Sequence, residues 1–155
     1  MPTLETITAV VLVNIIPAVE QLGGITTGIA LGLQPIEALL ISLSINIMLF
    51  VPVYFGAEFI YKTLSKINFL KVRFDKYIER ARTKAKPYVE KYGVVGIALF
   101  IALPGPFTGT YTASFVSWAL KLEWRKAWFA IGVGAIIGGM LIFLAYQGFF
   151  TFIKI

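Results

Sequence analysis

Two short stretches interrupt long apolar runs with residues able to do chemistry. In N-I-I-P-A-V-E-Q-L-G-G, Asn14 to Gly24, Pro17 and the pair Gly23 and Gly24 surround a single carboxylate, Glu20. In A-L-P-G-P-F-T-G-T-Y, the breaking residues are Pro104, Gly105, Pro106 and Gly109, with Thr108 beside the last. A charged carboxylate in hydrocarbon costs at least a few kcal/mol, so Glu20 should face a cavity, pair with another group, or be neutral for part of a cycle. A carboxyl group held away from water is suited to gaining and losing a proton. The plainer alternative places Glu20 at a shallow, wetted depth with no role. The second break has no charge, but glycine lets a substrate approach the backbone, and a helix that starts after a break presents N–H groups suited to an anionic group such as phosphate. Thr26, Thr27, Thr108, Thr110 and Tyr111 could add hydroxyl contacts.

Other chemistries are missing. The chain has no cysteine and no histidine, which excludes disulfides, thiolate chemistry and the commonest zinc ligand. Nothing resembles a phosphate-binding P-loop, a catalytic triad or a metal-ligand cluster. No cofactor and no metal are expected, and the chain does not read as an enzyme. Of its 155 residues 58% are hydrophobic, and the mean hydropathy is +0.82, far from the balance of a soluble globule. An all-α integral membrane protein forming a single membrane domain, 1–155, is expected.

Two uncharged runs, 38–57 and 127–153, are long enough to cross a bilayer. Segments 6–34 and 93–120 differ, because each is cut near its middle by one of the two breaks. The flanks of the second break have 11 residues each, Gly93 to Leu103 and Thr110 to Leu120. At ~1.5 Å per residue such a flank reaches ~16 Å, about half of a hydrocarbon core. Half-length helices meeting at a turn suggest re-entrant hairpins, although a kinked spanning helix is also tolerated in membranes. The first residues, Met1 to Glu5, carry no lysine or arginine, so the start lacks the charged region of a signal peptide and is expected to belong to the fold.

Charge placement bears on that choice. Between Lys62 and Lys91 lie ten of the fourteen Lys and Arg residues against three acids. If 93–120 dips in and returns, Lys121, Arg125 and Lys126 share a side with this segment, leaving only Lys154 opposite. If both broken segments span, the three fall outside. The positive-inside rule favours re-entry, with the basic segment 62–92 cytoplasmic and both termini outside. Anionic lipid headgroups are the expected partner of these charges, with Arg125 and Lys126 as contacts, and nucleic acid is not. Between Phe59 and Tyr92 the apolar residues recur at near-helical spacing among basic ones, so 58–92 reads as an amphipathic helix at the interface or as an extension of the preceding span, with Pro87 starting a further short helix.

The chain thus reads as an inverted repeat of two units, each a re-entrant hairpin followed by a transmembrane helix, joined by the basic segment. The correspondence lies in pattern, not in residue identity. Inverted repeats with discontinuous helices are a recurring plan of secondary transporters. Asn46 reads as an interhelical hydrogen-bonding residue, and the spacing Gly134 to Gly138 as close helix packing, within the chain or in a homodimer.

The two breaks resemble those of the small multidrug export protein family, related to the DedA superfamily, over most of the chain. The first hairpin of that family typically reads P-x-x-E-x-R-G-x-I-P, and here Pro17, Glu20, Gly23 and Ile25 are kept, with Leu22 at the arginine and Thr26 at the second proline. The second turn keeps Pro104, Pro106, Thr108 and Gly109, with Phe107 at a usual glycine. Without the arginine, Glu20 lacks an obvious ion-pair partner. The resemblance implies facing re-entrant hairpins and transport. The DedA kinship implies movement of an amphipathic lipid-like substrate, a polyprenyl phosphate or phospholipid, possible proton coupling included, and this reading is placed first. The family name implies proton-coupled export of small hydrophobic cations. A non-transporting scaffold is the reading from another class.

Overall fold

The computed structural model describes residues 3–102 and 109–153, and every regular element among them is helical. Helix α1 (Leu4–Ile15) begins at Thr3, whose hydroxyl accepts from the Thr6 amide as an N-cap. Helix α2 (Glu20–Ala30) follows a turn at 16–19. Helix α3 (Pro35–Leu64) starts with a capping box between Gln34 and Glu37 and proline at its first position, both strong start signals. It exceeds the uncharged run 38–57 at both ends. Helix α4 (Asn68–Tyr92) carries the basic segment and passes through Pro87 without a new start, contrary to the expected extra helix there. Then come α5 (Val94–Ala102), α6 (Thr110–Ala119) and α7 (Trp124–Ile153).

Only α3 and the stretch Trp124–Gly148 of α7 are, among the described residues, long and apolar enough to cross a membrane. Large apolar side chains such as Leu12, Met48, Phe129 and Leu144 are more than half exposed. A soluble protein rarely presents so much apolar surface, whereas lipid covers it without cost. Helices α3 and α7 pack antiparallel: Trp124 lies against Phe55, the Trp128 indole donates to the Ile47 carbonyl, and Gly139 faces Leu39.

The three-helix order occurs twice, on either side of α4. Ala30 and Ala119, Pro35 and Trp124, and Leu64 and Ile153 bound equivalent elements, each pair separated by the same 89 residues. At one place the two stretches also share residues. Both α2 and α6 end in A-L-x-L, Ala30 to Leu33 and Ala119 to Leu122. Both close in the same way, with Leu33 N–H on the Gly28 carbonyl and Leu122 N–H on the Ser117 carbonyl. This closure needs a left-handed residue, which is Gly32 after α2 (φ 90°) and Lys121 after α6 (φ 54°).

The inside of the bundle is unusually polar along one seam. Asn14, Glu20, Ser42, Asn46, Thr110, Ser114 and Ser117 are all buried. Asn14 donates to the Val10 carbonyl (2.7 Å) and the Ser42 hydroxyl (3.2 Å), and its carbonyl oxygen accepts from the Asn46 amide at 2.6 Å. Interhelical bonding by Asn46 is as expected. Gly134, Gly138 and Gly139 are buried within the chain itself, so the glycine spacing serves packing inside the protomer.

Helix α2 can sit this close to α1 only because position 24 has no side chain, since a Cβ there would overlap the Asn14 carboxamide. Gly24→Ala should therefore lower the unfolding free energy in detergent by about 1–3 kcal/mol, the usual cost of overpacking. Gly132→Ala, where a Cβ meets nothing within 4 Å, should be neutral or slightly stabilising by thermal melting.

Candidate functional site

The turn at 16–19 is set by Pro17, which cannot continue α1, and by two non-glycine residues in the left-handed region, Ala18 (φ 69°) and Glu20 (φ 40°). Each such residue costs roughly 1–2 kcal/mol, and strain of this kind clusters at functional positions. Its effect is to turn the first residue of α2 inward. Glu20 is 6% exposed, while Pro17, Ala18 and Val19 beside it are exposed.

The Glu20 carboxylate meets the start of α6. Its Oε2 accepts from the Thr110 amide at 2.6 Å, and the amides of Tyr111 and Ala18 also address the carboxylate. Gly109 makes room for it, because a Cβ at that position would fall inside the carboxyl group. The first N–H groups of α2 and α6 have no partners within their own helices, and both helix starts converge here. The N-terminus of α6 facing the carboxylate complements its negative charge, whereas the first amide of α2, that of Glu20 itself, is taken by the Ile16 carbonyl. Among the described residues no lysine or arginine pairs with Glu20. Leu22, at the position of the expected arginine, is half exposed, so that position lies on the outer side of α2.

A second link ties the same two breaks: the Tyr111 hydroxyl donates to the Ile15 carbonyl at 2.6 Å, satisfying one of the last acceptors of α1. Gln21, next to Glu20, reaches α7 and donates to the Ala135 carbonyl at 3.1 Å, in space that Gly139 leaves open. The first break is thereby anchored to both α6 and α7.

The structure brings Glu20, Gly24 and Gly109 together in the buried seam, and Gly23 packs against Val13 and Val19 behind the turn. Pro17 shapes the turn from its exposed side. Pro104, Gly105, Pro106 and Thr108 lie outside the described residues. Arg125 and Lys126 are not part of this constellation: they stand beyond the far end of α6, whose 10 residues span about 15 Å. There Arg125 stacks on Trp124, and Lys126 pairs with Glu123 at 2.9 Å, holding the Glu123 carboxyl below the usual carboxylate range.

Sequence reasoning assigned no site role to Asn14, Ser42 or Asn46, which extend the polar seam one turn from Glu20. The four-residue spacing of Ser42 and Asn46 in an uncharged run, with Ser44 between them, was the available signal. Asn46 Oδ1 is buried and finds no partner among the described residues.

Replacing Glu20 by leucine would leave the Thr110 amide buried without an acceptor, a cost of about 1–3 kcal/mol. Glu20→Gln keeps an acceptor oxygen, so its melting temperature should fall clearly less than that of Glu20→Leu. Equal melting temperatures for the two variants would contradict this account of the carboxylate.

A family model described as "Putative small multi-drug export protein" matches residues 20–141, a stretch that begins at Glu20 and includes both helix starts of the site. Neither the curated proteins nor the solved structures give a match. On that match over most of its length, the chain belongs to the small multi-drug export protein family.

Proposed function

We propose that this protein is a secondary exporter of small hydrophobic cations, with Glu20 as the shared site of proton and substrate. The observation that carries the reading is a buried carboxylate held by backbone amides of another helix and by no lysine or arginine among the described residues. An acid in that setting offers a negative charge to a cation entering the seam, and a proton competes for the same oxygen atoms. The family description favours export over the lipid-moving reading that the DedA kinship placed first.

The same proposal takes the two broken units as re-entrant hairpins of an inverted repeat. Helices α2 and α6 meet head to head at Glu20 and Thr110, and each is about half as long as a bilayer core requires. In the 89-residue correspondence position 20 matches position 109, and these two positions touch. Equivalent positions meet in this way only near an axis that relates the two copies. With the basic segment on the cytoplasmic side and both termini outside, each hairpin closes the path from one face. Protonation of Glu20 removes the charge that the start of α6 holds, loosens the contact between the two breaks, and lets the hairpins separate toward one side. Deprotonation restores the contact around a fixed central site.

The test is movement of radiolabelled lipophilic cations into proteoliposomes under an imposed pH gradient. Native protein should show gradient-driven movement, and Glu20→Gln should lose it down to the level of empty liposomes. Undiminished gradient-driven movement in Glu20→Gln would refute the reading. Movement of a fluorescent phospholipid or polyprenyl phosphate in place of the cations would return the lipid-moving reading to first place.

A further inference from the structure

The break after α1 leaves the Ile15 carbonyl as an acceptor that the amides following it do not take. The Ile16 amide turns to the Val13 carbonyl, Pro17 has no N–H, the Ala18 amide addresses the Glu20 carboxylate, and the amides of Val19 and Glu20 both go to the Ile16 carbonyl. In their place the Ile15 carbonyl receives the Tyr111 hydroxyl, at 2.6 Å. The same tyrosine addresses the Glu20 carboxylate with its backbone amide, and its phenol is near enough to the carboxylate to interact with the charge. A single residue thus spans from the last carbonyl of α1 to the buried acid. The surface outside this bridge is apolar: Ile15, Ile16, Val19 and Leu22 are all exposed, whereas Glu20 behind them is buried.

We propose that the bond between Tyr111 and Ile15 closes a lateral entrance through which a hydrophobic cation reaches Glu20 from the hydrocarbon of the bilayer. A cation with a large apolar body dissolves in the bilayer, and the exposed apolar residues around the bridge receive that body without a layer of water. The carbonyl end of a helix carries partial negative charge. An arriving cation can therefore take the place of the phenol hydroxyl at the Ile15 carbonyl and then move to the carboxylate, both of which Tyr111 already touches. Lipid tails offer no such replacement, since opening the bond to hydrocarbon leaves the Ile15 carbonyl without a donor. The entrance accordingly yields to a charged arrival and stays shut against acyl chains. Tyr111 is a positioning residue in this scheme, and its hydroxyl decides when Glu20 is reached.

This inference rests on the exporter reading, and its test reads access to Glu20 without transport. The full chain in nanodiscs is treated with dicyclohexylcarbodiimide, which arrives through lipid, or with a water-soluble carbodiimide, and the rate of Glu20 modification is followed by mass spectrometry. Tyr111→Phe removes the hydroxyl alone and should raise the rate with the lipid-soluble reagent about three- to tenfold, the shift expected for one lost hydrogen bond, while the water-soluble rate stays within about twofold. Tyr54→Phe removes a bond of the same kind from the far end of α6, on the Leu122 carbonyl, and should leave both rates within about twofold. The chain has no cysteine, so Ile15→Cys together with Tyr111→Cys places a clean pair across the entrance. Joining that pair with a reducible bifunctional reagent should block modification from the lipid, and reduction should restore it. Should Tyr111→Phe not fold, the joined pair decides. An unchanged lipid-soluble rate in Tyr111→Phe, an equal rise in Tyr54→Phe, or unhindered modification of the joined pair overturns the inference and leaves the exporter reading standing. A rise confined to the water-soluble reagent overturns it as well, and assigns the entrance to an aqueous face. The exporter reading itself stands or falls by the proteoliposome assay.

Discussion

The contact between the Glu20 carboxylate and the first amides of α6 is the interaction on which the rest of this structure depends. A membrane interior offers no water to the ends of broken helices, so every N–H group exposed by a break needs an acceptor from within the protein. The carboxylate serves the start of α6 and, with it, the Ala18 amide of the turn. That solution explains why the chain accepts left-handed strain at Ala18 and Glu20, and why position 109 has no side chain. The strain turns the acid inward, and the glycine leaves space for it.

The other polar residues extend the same logic along the seam. Asn14, Ser42 and Asn46 join α1 to α3, Tyr111 reaches back to the end of α1, and Gln21 fastens the turn to α7. Around this seam the packing is made by small residues, Ala113, Ala127, Ala130 and Ala135 among them, which let helices approach closely without a large apolar core. At the opposite end of α6, the Tyr54 hydroxyl on the Leu122 carbonyl and the Trp118 indole on Glu58 hold α6 to α3. Helix α6 is thus fixed at its far end and tied at its near end through Glu20 and the Tyr111 hydroxyl. A short helix held in that way can respond to a change at the acid without losing its place in the bundle.

Helix α4 stands apart in character. Basic residues dominate it, yet Phe74 packs on Tyr61 and on Phe115, and Tyr61 donates to Asp75. These contacts dock α4 beneath α3 and α6, next to the end of the bundle that carries Lys121, Arg125 and Lys126. Positive charge is thereby concentrated at one end of the molecule.

The sequence by itself determined the membrane class, the two long apolar helices, the two breaks and the presence of one carboxylate, Glu20, at the first of them. These follow from local properties: run length against bilayer thickness, the inability of proline to continue a helix, and the cost of a carboxylate in an apolar run. The start of α3 was equally legible in the Gln34, Pro35 and Glu37 signals, whereas its extension to Leu64 and the passage of α4 through Pro87 were not, because neighbouring contacts override local tendency there. What only the tertiary structure decided is the partner of Glu20. A backbone amide leaves no mark in a sequence, since every residue but proline has one, and so the missing arginine at Leu22 suggested an acid without support. Nor could spacing reveal that Asn14, Ser42 and Asn46 meet, because a hydrogen bond across helices depends on how α1 and α3 are placed side by side. The approach of α2 to Asn14 depends in the same way on Gly24, whose absent side chain is a property of the sequence and whose close neighbour is a property of the fold.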